Sequence, residues 1–230
     1  MWVKVCANTS LEDALMAVEA GADAVGFVFA PSKRRVDAAQ VAAIAAGLAR
    51  RVAEGLDRRV EMVGVFAGAD AAEMVAAVTE AGLDTVQLHG GVKLELAREL
   101  AERMPGVGVI QTLSWAVDGD QAQVDEGARQ LAEAASAPEG YRLLMDSKVE
   151  GATGGTGVTF DWARARQVLK AHKSLRLVVA GGLNPDNVGE AIRELSPWGV
   201  DVASGVELRP GTKDRLKVEA FVREARAAKR

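Results

Sequence analysis

The chain has 230 residues, 49% of them hydrophobic, which is enough for one large core, and α/β barrels reach this size as a single domain covering 1–230. Its 28 Lys and Arg stand against 32 Asp and Glu, a formal net charge of −4, and no basic block offers a grip on a polyanion, so nucleic acid is not an expected partner. One cysteine, Cys6, excludes an intramolecular disulfide, and no Cys or Cys/His cluster has zinc-ligand spacing, so no metal is expected and a reducing, cytoplasmic setting fits best.

The N-terminus has no basic segment leading into an apolar stretch with a cleavage site. No apolar run approaches the roughly 20 residues that span a bilayer, so a soluble, unprocessed chain with no membrane partner is expected. From residue 2 onward, short β-rich runs alternate with longer Ala-rich segments of helical period. Strands are predicted at 2–6, 24–29, 60–66, 85–88, 107–112, 142–145, 175–180 and 200–203. Helices are predicted between and after them, at 11–20, 38–48, 71–81, 92–103, 119–135, 162–171, 188–195 and 214–228. The first helix is preceded by Asn8-Thr9-Ser10, a choice of capping groups, and followed by Gly21. Asp186 is the expected N-cap of the seventh. Eight such pairs predict an α/β fold, a (β/α)8 TIM barrel, with a doubly wound sheet as the alternative.

Barrel enzymes place their chemistry at the C-terminal ends of the strands. The residues predicted there are Cys6, the basic run from Pro31 to Arg35, His89, Asp146, Gly181-Gly182 and Ser204-Gly205. The last two pairs follow strands seven and eight, where missing side chains let an anion approach backbone N–H groups, so a phosphate is expected on Gly181, Gly182, Ser204 and Gly205. The stretch containing Gly154, Gly155, Thr156 and Gly157 is too glycine-rich for a rigid element and is expected to form a mobile lid.

With these residues placed, the chain resembles the phosphoribosylanthranilate isomerases of tryptophan biosynthesis. The carriers are KVCANT (4–9), LEDA (11–14), GADAVGFVF (21–29), VGVF (63–66), VQLHG (86–90), LMDSK (144–148), GGTGVTFDW (154–162), AGGLNPDNV (180–188), VDVASGVE (200–207) and PGTKD (210–214). The resemblance implies a (β/α)8 fold, no cofactor, and an Amadori rearrangement of N-(5-phosphoribosyl)anthranilate to 1-(2-carboxyphenylamino)-1-deoxyribulose 5-phosphate. It implies Cys6 as the general base and Asp146 as the general acid. The expected partner is thus a small-molecule phosphorylated substrate, the chain itself being a monomer or homodimer. The chain departs from the family pattern at Ala7 and Asn8, where Gly and then Leu or Ile are usual, at Ala203, often Ser, and at Val158, often Lys. The segment 112–140 is longer than the family's and carries Trp115 just after the fifth strand.

The chemistry restates these roles as conditions. Asp146 donates a proton only if its pKa is raised, and Cys6 accepts one only as a thiolate, which a nearby cation would favour. Lys4 is the sequence candidate, since residues i and i+2 share a strand face, although it could equally pair with an inward carboxylate. An anthranilate carboxylate calls for arginine, and Ser-x-Arg-x-Val spacing selects Arg34 where an ungapped reading selects Arg35. His89 is a candidate for the aromatic pocket and Asp201 for the sugar or for bracing strand eight, with Gln87 a barrel-interior hydrogen-bonder. The competing readings are another phosphosugar isomerase on the same barrel and a catalytically silent barrel that binds a phosphorylated ligand.

Overall fold

The computed structural model describes residues 1–56, 59–90, 93–116, 126, 129–130, 133, 141–148 and 175–228. Within them eight parallel strands close in sequence order: β1 (Trp2–Val5), β2 (Ala24–Val28), β3 (Glu61–Ala67), β4 (Thr85–His89), β5 (Gly108–Ala116), β6 (Arg142–Lys148), β7 (Arg176–Ala180) and β8 (Gly199–Val202). The ring is sealed by β1 on β8, with Trp2 opposite Gly199 and Lys4 opposite Asp201. Helices α1 (Leu11–Glu19), α2 (Ala38–Ala53), α3 (Ala71–Ala81), α4 (Leu94–Arg103), α5 (Val188–Leu195) and α6 (Arg215–Ala227) lie between and after the strands. The predicted barrel is the observed one, and the doubly wound alternative falls because β1 pairs with β8.

Local chemistry explains where the helices begin. Ser10 caps α1 by accepting from the Asp13 N–H, Asp37 caps α2 from Gln40, and Asp214 caps α6 from Lys217. Asp70 and Glu73 form a reciprocal capping box on α3, which ends at Gly82 in the left-handed region, φ 67°. The expected cap Asp186 does not cap α5. Asn187 is the N-cap and makes no side-chain capping bond, while Asn184 Oδ1 accepts from the Asp186 and Asn187 N–H groups and turns the chain instead.

Two strands run well past their predicted ends. β5 and β6 pair from Ile110 opposite Arg142 through to Ala116 opposite Lys148, so Trp115 lies inside β5, opposite Ser147, rather than after it. Asp146 accordingly sits within β6, between Ser114 and Ala180 of its neighbours. A further pair of short strands, β9 (Glu207–Arg209) and β10 (Thr212–Lys213), folds back as a hairpin through Pro210-Gly211, with Gly211 at φ 82° as such a turn requires. The predicted helix 162–171 lies outside the described residues. So does most of 119–135, where Arg129 bridges Glu126 and Glu133 at helical spacing.

Two apolar layers hold the barrel. Ala24, Val63, Ile110, Leu144, Val178 and Ala180 form one buried cluster contributed by five of the strands. A larger cluster, including Phe27, Leu100, Leu143, Met145 and Phe221, lies between strands and helices. Each such fully buried side chain contributes about 1.5–3 kcal/mol, which holds the rim residues on a stiff scaffold. The N-terminal mouth is closed by Arg142, which donates to Glu61 Oε2 at 2.9 Å and Thr85 Oγ1 at 2.9 Å beneath Trp2.

Candidate active site

At the opposite mouth the chain leaves β1 at Cys6, whose N–H donates to the Val202 carbonyl at 2.7 Å. Ala7 follows at φ 63°, a left-handed conformation that costs an alanine about 1–2 kcal/mol. This gives the physical reason glycine suits the position. Asn8 stiffens the bend: its backbone N–H donates to the Gly26 carbonyl at 2.9 Å, and its buried amide donates to Val5 O at 2.8 Å and Gly26 O at 3.1 Å. Gly26 makes room for the sulfur, because a Cβ there would stand 2.7 Å from Cys6 Sγ and 3.0 Å from Lys4 Cε.

Lys4 and Cys6 both face inward, and the two alternatives for Lys4 are realised together. Its Nζ donates to Asp201 Oδ1 at 2.9 Å, and its charge acts on the cysteine as well. Burial alone would lower the Lys4 ammonium, but Asp201 and Cys6 hold it above the ordinary lysine value. For Cys6 burial dominates and pushes the thiol up, with Lys4 and Lys213 pulling down and Asp201 pushing up. Burial of Cys6 therefore favours the protonated thiol.

The two arginines part company. Arg35 is exposed, and its backbone N–H donates to Ser32 O at 3.3 Å. Arg34 reaches over the mouth and binds Glu207 bidentately, Nε to Oε1 at 2.8 Å and Nη2 to Oε2 at 2.7 Å. Glu207 also faces Lys213, whose Nζ is 3.5 Å from Oε1 and donates to the Ala203 carbonyl at 3.1 Å. Burial would raise the Glu207 carboxyl, but the Arg34 hydrogen bonds and the Lys213 charge hold it below the usual carboxylate range. The sequence reading assigned no role to Glu207 or Lys213, although both lie in quoted motifs, VDVASGVE and PGTKD.

The two glycine turns meet. Gly181 and Gly182 have φ 85° and 63°, and Asn187 Nδ2 donates to the Gly182 carbonyl at 3.0 Å. Gly205 lies so close to the Leu183 carbonyl that a Cβ would collide with it. After β8 the chain makes a single 3-10 turn, Ser204–Val206. Asp201 is buried against Lys4, and His89 ends β4 opposite Ala67, partly buried. Gln87 is buried and donates to Thr112 Oγ1 at 3.2 Å, as expected of an interior hydrogen-bonder, with its Oε1 unpartnered. Gly154, Gly155, Thr156 and Gly157 lie outside the described residues, as does Val158. Among the described residues no group of three His, Cys, Asp or Glu side chains is placed to hold a metal ion, and no helix is long and apolar enough to cross a membrane.

Residues 3–224 match the family described as N-(5'-phosphoribosyl)anthranilate (PRA) isomerase. Curated relatives include the N-(5'-phosphoribosyl)anthranilate isomerase of Roseiflexus sp. (strain RS-1), 41% identical with 98% of each chain covered. That of Roseiflexus castenholzii is 38% identical over 100% of both chains. Among solved structures, phosphoribosyl anthranilate isomerase from Thermotoga maritima superposes with a TM-score of 0.80 at 35% identity, covering 99% of both chains. A phosphoribosyl anthranilate isomerase in complex with reduced 1-(o-carboxyphenylamino)-1-deoxyribulose 5-phosphate superposes at 0.75 and 35% identity, again with 99% of both chains covered.

Proposed function

Since the chain belongs to the N-(5'-phosphoribosyl)anthranilate isomerase family, we propose that it carries out the Amadori rearrangement of N-(5-phosphoribosyl)anthranilate to 1-(2-carboxyphenylamino)-1-deoxyribulose 5-phosphate in tryptophan biosynthesis. The observation that carries this reading is the convergence at one mouth of Cys6, held against Lys4, with Asp201, Arg34 and the two touching glycine turns.

In the proposed sequence Asp146 gives its proton to the ring oxygen, which becomes a hydroxyl as the C1–O bond breaks and the anilino nitrogen forms an iminium. The iminium acidifies the C2 proton. The Cys6 thiolate takes that proton, the C2–H electron pair becomes the C1–C2 double bond of an enolamine, and tautomerisation yields the ketone. The 5-phosphate lies on the backbone N–H groups of Gly181, Gly182, Ser204 and Gly205, where a dianion needs donors and no side chain in the way. Arg34 takes the anthranilate carboxylate, already shaped for a carboxylate by its fork on Glu207. His89 borders the aromatic ring, and Asp201 acts through Lys4.

The reaction needs no cofactor, and its place is the cytoplasm, with the chain acting as a monomer or homodimer. A solved relative from Thermotoga maritima is described as monomers generated from a dimeric isomerase. Purified protein given phosphoribosylanthranilate should remove the anthranilate-type fluorescence, and Cys6→Ala should abolish that loss. A chain that leaves the fluorescence intact beside an active isomerase control is a silent binder instead.

A further inference from the structure

We propose that Lys213 is a positioning residue for this reaction, its buried ammonium supplying to Cys6 a positive charge that Lys4, engaged by Asp201, supplies only in part. The proposal rests on Cys6 being the base.

A buried ammonium is costly, several kcal/mol per ion unless it is compensated, so a lysine needed only to close a surface hairpin would lie in solvent. Lys213 does not: its side chain is 0% exposed although β10 is a two-residue strand at the edge of the fold. It is anchored at both ends. Its backbone N–H donates to Asp13 Oδ1 at 2.8 Å, and its Nζ donates to Ala203 O at 3.1 Å. Ala203 directly follows Val202, the residue whose carbonyl accepts the Cys6 N–H at 2.7 Å. The ammonium is therefore bonded one residue along from the cysteine's own backbone partner, at the residue that leads into the turn of Ser204 and Gly205.

Four charged groups act electrostatically on Cys6 from the surrounding elements: Lys4 on β1, Asp201 on β8, Lys213 on β10 and Arg34 after β2. Lys4 and Asp201 oppose each other at 2.9 Å, and Arg34 is taken by Glu207. Lys213 is faced by Glu207, Asp13 and Cys6. Its ammonium titrates below the ordinary lysine value, because burial lowers it more than these negative neighbours raise it. The interaction with Cys6 is mutual, so each group's protonation depends on the other's.

Cys6 is the only cysteine in the chain, so thiolate ultraviolet absorbance reports on it alone and requires no turnover. In Lys213→Gln, which keeps a donor for Ala203 but loses the charge, the thiolate midpoint should rise by about one pH unit, tenfold less thiolate at a fixed pH. The kcat/KM profile should move with it along the pH axis, and Lys213→Arg should bring both back toward the wild type. A Lys213→Gln midpoint equal to the wild type overturns the proposal whatever the activity, because loosening alone lowers a profile without translating it. Should Lys213→Gln fail to fold by circular dichroism, the reciprocal measurement decides. NMR of ¹³Cε-labelled lysine should show Lys213 losing its proton at lower pH in Cys6→Ala than in the wild type, and identical midpoints would refute the coupling. Both titrations remain readable if the wild type does not isomerise the substrate, so failure of the function and failure of the coupling are separate results.

Discussion

Arg34 and Glu207, 173 positions apart, form a bidentate ion pair across the mouth of the barrel, with bonds of 2.8 and 2.7 Å. A guanidinium so held shows a carboxylate-shaped fork aimed over the site, and Arg35, one residue on, shows none. The proposed anthranilate carboxylate would compete with or join Glu207 on that fork. Truncating Arg34 leaves the substrate carboxylate unpaired, so Arg34→Ala should lose about 2–5 kcal/mol in kcat/KM, whereas the exposed Arg35→Ala should lose about 0–1 kcal/mol. The affinity for a phosphosugar lacking the ring should stay unchanged in Arg34→Ala. A large loss confined to Arg35→Ala would mean that the ungapped alignment chose correctly.

Acid and base should separate from binding. Cys6→Ala and Asp146→Asn leave the glycine turns intact, so each should bind a reduced product analogue while kcat falls by at least about 10²-fold. Unchanged kcat with a raised KM in Asp146→Asn would make that residue a binding group. Near-normal kcat in Cys6→Ala would return the cysteine to core filler.

The close approach of Cys6 to Gly26 gives a steric prediction. A methyl group there would stand 2.7 Å from Cys6 Sγ and 3.1 Å from the Cys6 Cα, so the sulfur must move. A displacement of about 1 Å at a reacting atom costs on the order of 10²-fold in rate. Gly26→Ala should therefore lower kcat by that factor with the far-UV spectrum unchanged. Wild-type kcat in this variant would show that the sulfur's place is not critical.

Ala7 carries strain that glycine would not. Relieving a left-handed alanine offsets the extra freedom of glycine in the unfolded chain, and a net gain of about 1 kcal/mol raises Tm by roughly 2–4 °C in a chain of this size. Thermal unfolding of Ala7→Gly measures it. A lower Tm would show that the hydrogen bonds of Asn8 already absorb the strain.

The pH dependence follows from Cys6. Burial pushes the thiol above its ordinary value of about 8.5, and the base must be deprotonated, so the thiolate fraction grows with pH. The kcat/KM of the wild type should accordingly still be rising as pH passes about 8.5, a limb reporting the free enzyme. A plateau already reached near neutrality would mean that the cations outweigh burial.

Much of this was written locally. Strand and helix periods depend on neighbours a few residues away, and Ser10, Asp37 and Asp214 reach only three residues to cap their helices, so the eight strands and six described helices were readable with small errors at their ends. From the barrel inference alone, Cys6, His89, Asp146, Gly181 and Ser204 could be assigned to one rim. What tertiary structure decided is which charges meet there. Lys4 finds Asp201, 197 positions away, only because closing the ring sets those two residues opposite each other. Arg34 finds Glu207, 173 positions away, because ring closure brings the chain after β8 to the chain after β2, and Lys213 finds Ala203 because the chain folds back through Pro210 and Gly211. Those pairings depend on ring closure and on the return of the chain after β8, which no local period encodes, and they place the charged groups around Cys6.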